Sequence, residues 1–443
     1  MAPERTPRKN SRATRELTSL TVKGFKSHLA GTTVRVRPLT ILAGANSAGK
    51  SSFMHPFLML KQTLEEGFDP GVLKIQGANV QYTDAIQFLS RSKNKKKRTQ
   101  TFSIACGFQD GRTFEVGYTF DNKSTATIDS QRLLLADDRQ IEFNSKLALE
   151  DLWSIIRGAS VIRTAYSDAK VPLAAAIRVE RCFLSANVTL RVPEGPVIES
   201  YSPATAEMSW IQQLIHLPGW RGNPERTYER AAVGSVFPGQ FHNYTASLLQ
   251  HWVENQSKDN LERVAQDLKE LGLTWKIDVK AAGHTKLTIR VGRTPSALKS
   301  GALDLVELPD VGFGVSQVLP LVVALSAAQR GQLIYIEQPE IHLHPRAQIA
   351  LGAVFQRAAA RGVRLIIETH SALLLRSIQL RMARRELAPD QVSLNWFHRD
   401  DNGFTEVTSG KMDANGAWGD WPEDFGELDL GLDNEYLSLP FVE

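Results

Sequence analysis

The sequence is poor in cysteine: its 443 residues contain only Cys106 and Cys182. Two thiols so far apart cannot form the disulfide framework that staples small secreted proteins, and they are too few for a cysteine-based zinc cluster. The sequence therefore predicts a reduced, cytoplasmic protein. With 42% hydrophobic residues, it can bury a large core.

Long hydrophobic runs are also missing. The longest strongly apolar stretch, residues 318–328, is too short to cross a bilayer and predicts a buried helix instead. The N-terminus carries basic residues without an apolar core, so no secretion signal and no membrane partner are expected. Sustained heptads are absent too, which argues against a long coiled-coil arm.

Charge is nearly balanced overall, at a net +4, but it is unevenly distributed. Basic residues concentrate in residues 1–26 and in a run from Lys93 to Arg98, whereas residues 401–443 are acidic. Basic runs can bind nucleic-acid phosphates, although a solvated loop explains runs this short equally well. DNA is therefore kept as a candidate partner. The acidic end is expected either to dock on a basic neighbour or to be solvated.

The most informative motif is Gly44-Ala-Asn-Ser-Ala-Gly-Lys-Ser-Ser52, which fits the phosphate-loop pattern G-x-x-x-x-G-K-[ST]. The apolar run at 39–42 predicts a buried strand before the loop, and apolar spacings after Lys50 predict a helix. Lys50 can reach the β- and γ-phosphates and the Ser51 hydroxyl can ligate Mg²⁺, so ATP and Mg²⁺ are the expected cofactors. The predicted nucleotide-binding residues of the loop are Gly44, Asn46, Ser47, Ala48, Gly49, Lys50, Ser51 and Ser52.

Hydrophobic periodicity divides the chain into five parts. Residues 1–16 are a disordered basic N-terminus, and residues 17–144 are a lobe with the phosphate loop and an antiparallel meander. Residues 145–300 are an inserted, mainly helical region, 301–400 a second α/β lobe, and 401–443 an acidic extension. Helical patterns in the insertion lie at about 145–157, 204–216, 243–256 and 258–271. Because both lobes share one phosphate loop, the sequence predicts a single α/β domain with an insertion.

The segment Leu333–Glu340 carries candidates for the second half of such a site, since hydrolysis needs a carboxylate for Mg²⁺ and a group that orients water. It is an apolar strand that ends in acids, which places them at the sheet edge where ligands bind in open α/β folds. Glu337 is the predicted Mg²⁺ ligand beside Ser51, and Glu340 is the predicted base. An alternative, that these acids only cap the following turn, stays open.

Several segments together resemble the ABC-type AAA ATPases related to OLD and SMC proteins. Leu20–Lys26 resembles the opening strand of these proteins, Asn46–Ser52 their phosphate loop and Gly312–Gln317 their signature segment. Glu337–Pro345 resembles the Walker B region and Glu368–Ser371 the segment with the switch histidine. Trp418–Phe425 resembles the C-terminal domain of unknown function found in one branch. The resemblance implies a P-loop NTPase fold of the ABC/SMC-head type, with an antiparallel β subdomain and a mixed, mainly helical insertion.

The resemblance also implies roles by position. Gln338 stands where many such heads have the catalytic glutamate, so either Glu340 is the base or nucleotide acts mainly as a clamp. Gly314 and Ser316 would reach the γ-phosphate held by a second protomer, and His370 would sense that phosphate. At least an ATP-dependent dimer is therefore implied.

Three functions follow as hypotheses. The first is an ATPase subunit that controls a separate effector chain, such as a nuclease or toxin, and the resemblance implies bacterial defence against phage or foreign DNA. The second is an ATP-dependent DNA clamp in repair, and the third is a nucleotide-sensing scaffold with little turnover. No nuclease-type carboxylate cluster is apparent after His370, so any nuclease is expected on another chain. The insertion or the acidic extension is the expected docking surface for the effector.

Overall fold

A computed structural model describes residues 16–92, 97–121, 123, 125–143, 173–192, 195–202, 208–294, 296, 304–413 and 415–419. The predicted helix at 145–157, the basic residues before Glu16, most of the run at 93–98 and the acidic residues from Asp420 onward lie outside these ranges. Among the described helices, none has both the length and the apolar character that crossing a membrane requires.

The centre of the described fold is a six-stranded sheet in which the first five strands run parallel and the last is antiparallel. In spatial order the strands are β11 (Ile215–Leu217), β16 (Leu333–Glu337), β17 (Arg364–Glu368), β3 (Leu39–Gly44), β18 (Val392–Arg399) and β19 (Thr405–Ser409). β3, which leads into the phosphate loop, is buried along its whole length, as is typical of a parallel strand covered on both faces. β17 lies between β3 and β16. The ends of β16 and β17, which both carry a glutamate, therefore lie on the same side of the phosphate loop.

The two faces of this sheet contribute to two different cores. Leu42, Tyr335 and Ile366 face the first core, while their neighbours Ile41 and Ile334 face the second, as the two-residue repeat of a strand requires. The first core contains α1 (Lys50–Leu64), and the second contains the helices α3 (Thr245–Glu254), α4 (Lys258–Glu270), α5 (Phe313–Ala327), α6 (Pro345–Ala360) and α7 (Ala372–Ala383). The sheet is therefore the middle layer, which confirms the α/β fold class.

The predicted antiparallel subdomain is a second six-stranded sheet that completes the first core. In spatial order its strands are β2 (Thr32–Arg35), β1 (Leu17–Lys23), β4 (Thr101–Phe108), β5 (Thr113–Phe120), β6 (Ala126–Leu134) and β7 (Gln140–Glu142). β6 is one continuous strand, and its pairing register with β5 shifts between Gly117 and Tyr118. The irregularity interrupts the alternation that marks a strand in sequence.

The inserted region is mixed, but its described part contains more strand than the sequence predicts. Of the helix predicted at 204–216, the described residues 208–216 contain α2 (Ser209–Gln213) and then β11 in the central sheet, so the prediction is wrong at residues 215–216. A three-stranded sheet contains β8 (Leu173–Glu180), β9 (Phe183–Val192) and β10 (Gly195–Tyr201). A four-stranded sheet contains β12 (Tyr228–Glu229), β13 (Ile277–Ala281), β14 (Lys286–Gly292) and β15 (Leu305–Glu307). The three alanines of β8 favour helix over strand, so tertiary pairing overrides local propensity there.

Candidate nucleotide-binding site

The phosphate loop joins the end of β3 to the start of α1, as the motif predicts. Lys50 is the first residue of α1 and is 3% exposed. Its Nζ donates hydrogen bonds to the carbonyl oxygens of Gly44 (2.9 Å) and Ala45 (2.8 Å), so the ammonium group lies inside the curl of the loop. Burial lowers the Lys50 pKa, while the nearby carboxylates of Glu368 and Glu340 oppose that shift. The lysine and both acids therefore share one site.

Both motif glycines are required by the backbone and by the strands beneath it. Gly44 and Gly49 have φ values of 139° and 109°, a left-handed region that side chains strongly disfavour. A Cβ at Gly44 would collide with the carbonyl oxygen of Phe397 on β18, and one at Gly49 with the hydroxyl of Thr405 on β19. The loop can therefore lie flat on the sheet edge only with glycine at these positions.

The tip of the loop is held by two side chains from the last strands of the central sheet. Arg399 donates to the carbonyl oxygen of Ser47 from Nε (2.8 Å) and Nη2 (2.6 Å). Thr405 Oγ1 donates to the carbonyl oxygen of Ala48 at 2.7 Å. These contacts turn loop carbonyls away from the phosphate side, and they leave Asn46 exposed at the tip. No sequence motif marks Arg399 or Thr405, so sequence reasoning missed both.

A buried histidine supports the start of α1. The His28 Nε2 lies 3.0 Å from the carbonyl oxygen of Gly49 and 3.2 Å from Ser52 Oγ, and its Nδ1 lies 2.8 Å from Thr32 Oγ1. Burial lowers the His28 pKa to about 4, so the ring is neutral at physiological pH. Nε2–H then donates to Gly49 and Nδ1 accepts from Thr32. The predicted loop residue Ser52 faces this histidine and donates to Gly49, so it stabilises the loop from within.

The carboxylate that accepts a hydrogen bond directly from the phosphate loop is Glu368, which was not predicted as a ligand from the sequence. Ser51 Oγ donates to Glu368 Oε1 at 2.8 Å, and the Tyr335 hydroxyl donates to Glu368 Oε2 at 2.9 Å. Glu368 ends β17, immediately beside β3, where its Cα pairs with Leu42. Burial raises the Glu368 pKa, and the negative charge of Glu337 raises it further. Two carboxylates thus lie close together beside Ser51.

Glu337 itself is anchored from the opposite side by the short strand β11 and the loop after it. Its Oε1 lies 3.1 Å from Nε2 of His216, and its Oε2 accepts from the backbone N–H of Gly219 at 3.1 Å. Burial tends to raise its pKa, but these hydrogen bonds prevail and lower it. The His216 ring stacks on Tyr335, with centroids 5.5 Å apart. Glu337 is therefore ionised. It lies next to Glu368 but one strand farther from β3 and the phosphate loop.

Glu340 is held beside the switch histidine. Its Oε1 accepts hydrogen bonds from Thr369 Oγ1 (2.9 Å) and from the backbone N–H of His370 (2.7 Å). Its Oε2 is buried and has no hydrogen-bond partner among the described residues. Burial raises the Glu340 pKa. Burial also lowers the pKa of the His370 imidazole, and the positive charge of Lys50 lowers it further. The ring therefore lies within electrostatic reach of the loop lysine.

Gln338 lies between the two glutamates in a strained backbone conformation, with φ of 42°. Its N–H donates to the Glu368 carbonyl oxygen at 2.8 Å, which ties the end of β16 to β17. Non-glycine residues in this region are uncommon and concentrate at functional sites. The strain thus lies at the position where the resemblance implies the catalytic glutamate of many such heads.

The signature segment does not contact the phosphate loop of its own chain in the described contacts. A Cβ at Gly314 would lie 3.2 Å from the carbonyl oxygen of His342, so the start of α5 packs on the segment after β16. Ser316 is 7% exposed, and its Oγ donates to the Phe313 carbonyl oxygen at 2.9 Å. Its hydroxyl is occupied within α5 in this state. Gly314 and Ser316 are therefore placed apart from Lys50 and Ser51.

A buried arginine links the signature helix to the acidic strand, and no sequence signal pointed to it. Arg221 donates to the carbonyl oxygens of Gln317 (3.2 Å) and Glu337 (2.8 Å). The Gln317 side chain accepts a hydrogen bond from the backbone N–H of Arg221 at 3.2 Å and donates one to the carbonyl oxygen of Gly222 at 2.8 Å. Burial lowers the Arg221 pKa to about 10. The ion stays charged and connects α5 to β16.

Replacing Arg221 by alanine is expected to lower the free energy of unfolding by about 3 kcal/mol or more, since two buried carbonyls each lose a charged donor. Urea titration followed by circular dichroism measures this. The matched control is Arg230→Ala, which removes an exposed pair with Glu254 and is expected to cost less than about 1 kcal/mol. Equal losses in the two variants would contradict the linking role of Arg221.

The geometry defines a P-loop NTPase domain: a phosphate loop between a buried parallel strand and a helix, with two acidic strand ends beside it. A protein-family model described as "AAA domain, putative AbiEii toxin, Type IV TA system" matches residues 245–376, which include the second half of the site but not the loop. The phosphate loop and the family match together support an ATPase of the AAA/ABC type. No curated protein matches the chain.

The solved structures similar to this chain include three SMC head domains. One is an SMC head bound to the C-terminal winged-helix domain of ScpA, with 13% identity, a TM-score of 0.45, and coverage of 90% of this chain and 98% of that one. The SMC head of Thermotoga maritima has 10% identity, a TM-score of 0.36, and coverage of 89% and 98%. A Pyrococcus furiosus SMC head with an extended coiled coil, bound to the C-terminal domain of ScpA, has 11% identity, a TM-score of 0.41, and coverage of 96% and 100%. The fold assignment rests on the strand order and the loop.

Proposed function

We propose that this chain is an ATP-binding and hydrolysing subunit that assembles through its ATP-bound heads. The observation that carries the proposal is the convergence of Lys50, Ser51, Glu368, Glu340 and His370 at one edge of the central sheet. This combines a phosphate cradle, an acidic pair and a buried carboxylate with an unpartnered oxygen. These are the parts that phosphoryl transfer to water requires.

The residues present suit Mg²⁺ as the cofactor. The Ser51 hydroxyl and the carboxylates of Glu368 and Glu337 are hard oxygen donors; burial raises the pKa of Glu368, and the negative charge of Glu337 raises it further. Among the described residues, no group of three or more histidine, cysteine or acidic side chains is arranged to hold a metal ion, so phosphate oxygens and water would complete the coordination of a cation here. When bound, Mg²⁺ would neutralise charge on the β- and γ-phosphates. We assign Ser51 and Glu368 to direct contact, with Glu337 beside them.

Glu340 is proposed as the general base. Oε1 is fixed by Thr369 and His370, so the carboxylate is oriented while buried Oε2 stays available to take a proton from water. A raised pKa improves its basicity toward water. Gln338 positions the strand end and orients water through its amide. His370, whose imidazole pKa is lowered by burial and then by the charge of Lys50, is proposed to sense the γ-phosphate.

Assembly is proposed to use the surface around the signature segment. Phe313 and Trp220 are 48% and 56% exposed, and both rings contact the exposed ring of His342, with centroids 5.8 and 6.3 Å away. Large exposed aromatic residues that cluster mark protein-binding surfaces. Gly314 and Ser316 lie directly beside this patch. ATP held by a second copy would then add charged contacts that ADP lacks.

Control of a separate effector chain is proposed as the purpose of the ATP cycle. The matched family is described as a putative toxin of a type IV toxin–antitoxin system. Such a description supports a role for this chain in bacterial defence against phage or foreign DNA. The effector is proposed to be a nuclease or toxin that binds outside the ATP site.

Assembly is tested with Gly312→Arg, because Gly312 is exposed, has φ of −62°, and a Cβ there meets no atom within 4 Å. The variant is expected to bind ATP normally but to lose the ATP-dependent increase in mass, measured by light scattering with a non-hydrolysable analogue. The control is Gly67→Arg, another exposed glycine with open space around it, which lies after the far end of α1. An unchanged mass increase in Gly312→Arg would refute assembly through the signature face.

A further inference from the structure

A large cleft lies at the opposite edge of the central sheet from the phosphate loop, where the parallel strands begin. Its volume is about 1230 Å³, and its lining includes Pro38 before β3, Arg364 at the start of β17 and Val392 at the start of β18. The other walls come from the start of β1, the end of β2 and residues 409–412. The volume exceeds the roughly 300–1,000 Å³ of small-molecule pockets, so a polypeptide segment fits it better.

The cleft carries more positive than negative charge. Its ionisable lining residues are Arg35, Arg37, Arg364 and Lys411 against Glu16 and Asp390. Arg364 lies 3.4 Å from Glu16, and Arg37 donates to backbone carbonyls. Arg35 and Lys411 are exposed and form no ion pair with any residue in the described ranges. Two exposed cations in the lining are therefore available to an acidic ligand.

The chain returns to the rim of this cleft just before its acidic end. Asp413 Oδ1 accepts the N–H groups of Asn415 and Ala417, which closes a tight turn after the cleft residue Lys411. Trp418 is 3% exposed and fixes the returning chain in the second core. A Cβ at Gly419 would lie 3.4 Å from the carbonyl oxygen of Lys411. Gly419, where the described chain ends, therefore lies against the cleft residue Lys411.

We propose that residues 420–443 dock in this cleft, with their carboxylates against Arg35 and Lys411. This segment contains no lysine, arginine or histidine, and its acidic residues are Asp420, Glu423, Asp424, Glu427, Asp429, Asp433, Glu435 and Glu443. Leucine and phenylalanine residues between the acids suit the apolar part of the lining. Extended, the segment spans on the order of 80 Å, which is more than the cleft needs.

Charge argues against the other end of the chain as the occupant. Residues 1–15 lead to the cleft residue Glu16, but they carry five basic residues against the single acid Glu4. A cationic segment would be repelled by Arg35 and Lys411, whereas the acidic one is attracted. The cleft lies away from the nucleotide site, so docking of this segment does not depend on ATP hydrolysis.

The test measures amide hydrogen exchange of residues 420–443 by mass spectrometry in the full-length protein without nucleotide. We expect exchange to be at least tenfold slower in the wild type than in Arg35→Glu/Lys411→Glu. Adding Asp424→Lys/Glu427→Lys to that variant should restore protection. The control Lys258→Glu/Lys280→Glu reverses two exposed charges on the insertion and should change nothing. High salt should remove the protection, since exposed charges are then screened.

Other occupants give different results. Equal exchange in the wild type and the cleft variant overturns the proposal. Protection that disappears on dilution means that a second copy's acidic segment fills the cleft, which also overturns docking within one chain. Weaker binding of a duplex DNA probe by the cleft variant, with unchanged exchange at 420–443, assigns the cleft to nucleic acid instead.

Discussion

Replacing Lys50 by alanine is expected to weaken ATP binding by roughly 10²-fold or more. The Nζ atom already lies inside the loop, 2.9 and 2.8 Å from the carbonyl oxygens of Gly44 and Ala45, so it is preorganised to meet phosphate oxygens. Each charge-assisted hydrogen bond to the nucleotide contributes about 1.5–3 kcal/mol, and each 1.4 kcal/mol is tenfold in affinity. Isothermal titration calorimetry with ATP and Mg²⁺ measures the loss.

The fold is expected to survive this change, and a thermal melt of the same sample checks it. Lys50→Met keeps the aliphatic stem in the loop and removes only the charge, so it should lose affinity to a similar extent. Lys258→Ala, on the exposed start of α4, is the matched control and should bind ATP as the wild type does. Wild-type affinity in Lys50→Ala would refute the assignment of the loop.

Glu340→Gln is expected to slow ATP turnover by roughly 10²–10⁴-fold while ATP still binds, the range associated with a general base. Glutamine retains an oxygen that can accept from Thr369 and His370, so the local structure should remain. An amide cannot take a proton from water in place of the buried Oε2. Phosphate release in steady state, together with the amount of ATP retained after gel filtration, measures both halves of the effect.

Gln338→Ala and Glu368→Gln separate the neighbouring roles. Gln338→Ala should be milder, since it removes an amide that only orients water. Glu368→Gln should shift the Mg²⁺ concentration needed for activity, because this carboxylate contacts Ser51 directly. If Gln338→Ala stops turnover and Glu340→Gln does not, the base has been assigned to the wrong residue.

The parts of the site that could be predicted are those encoded in short contiguous patterns. The loop at 44–52 needs glycines at fixed spacing, and the strand at Leu333–Glu337 is an unbroken apolar run that ends in an acid. Both patterns follow from the backbone conformation and burial of one segment. Their positions at one sheet edge then follow from the parallel arrangement, because parallel strands end on the same side.

The parts that were missed depend on residues brought together from distant segments. Glu368 binds Ser51 only because β17 lies beside β3, and nothing local distinguishes it from Glu337 as the closer carboxylate. His216 and Arg221 reach Glu337 through β11, a three-residue strand that exists because it pairs with β16. Such a strand is too short to produce a periodic signal in sequence.

The position of β3 also determines when the protein becomes able to bind nucleotide during its synthesis. β3 is bordered by β17 on one side and β18 on the other, so both neighbours are made more than three hundred residues after it. At about 5–20 residues per second, the strand waits on the order of 20–70 s for its partners. A ribosome-bound chain that has not yet reached β17 and β18 therefore has the phosphate motif without the sheet that shapes it, and ATP binding becomes a mark that these two strands have been made.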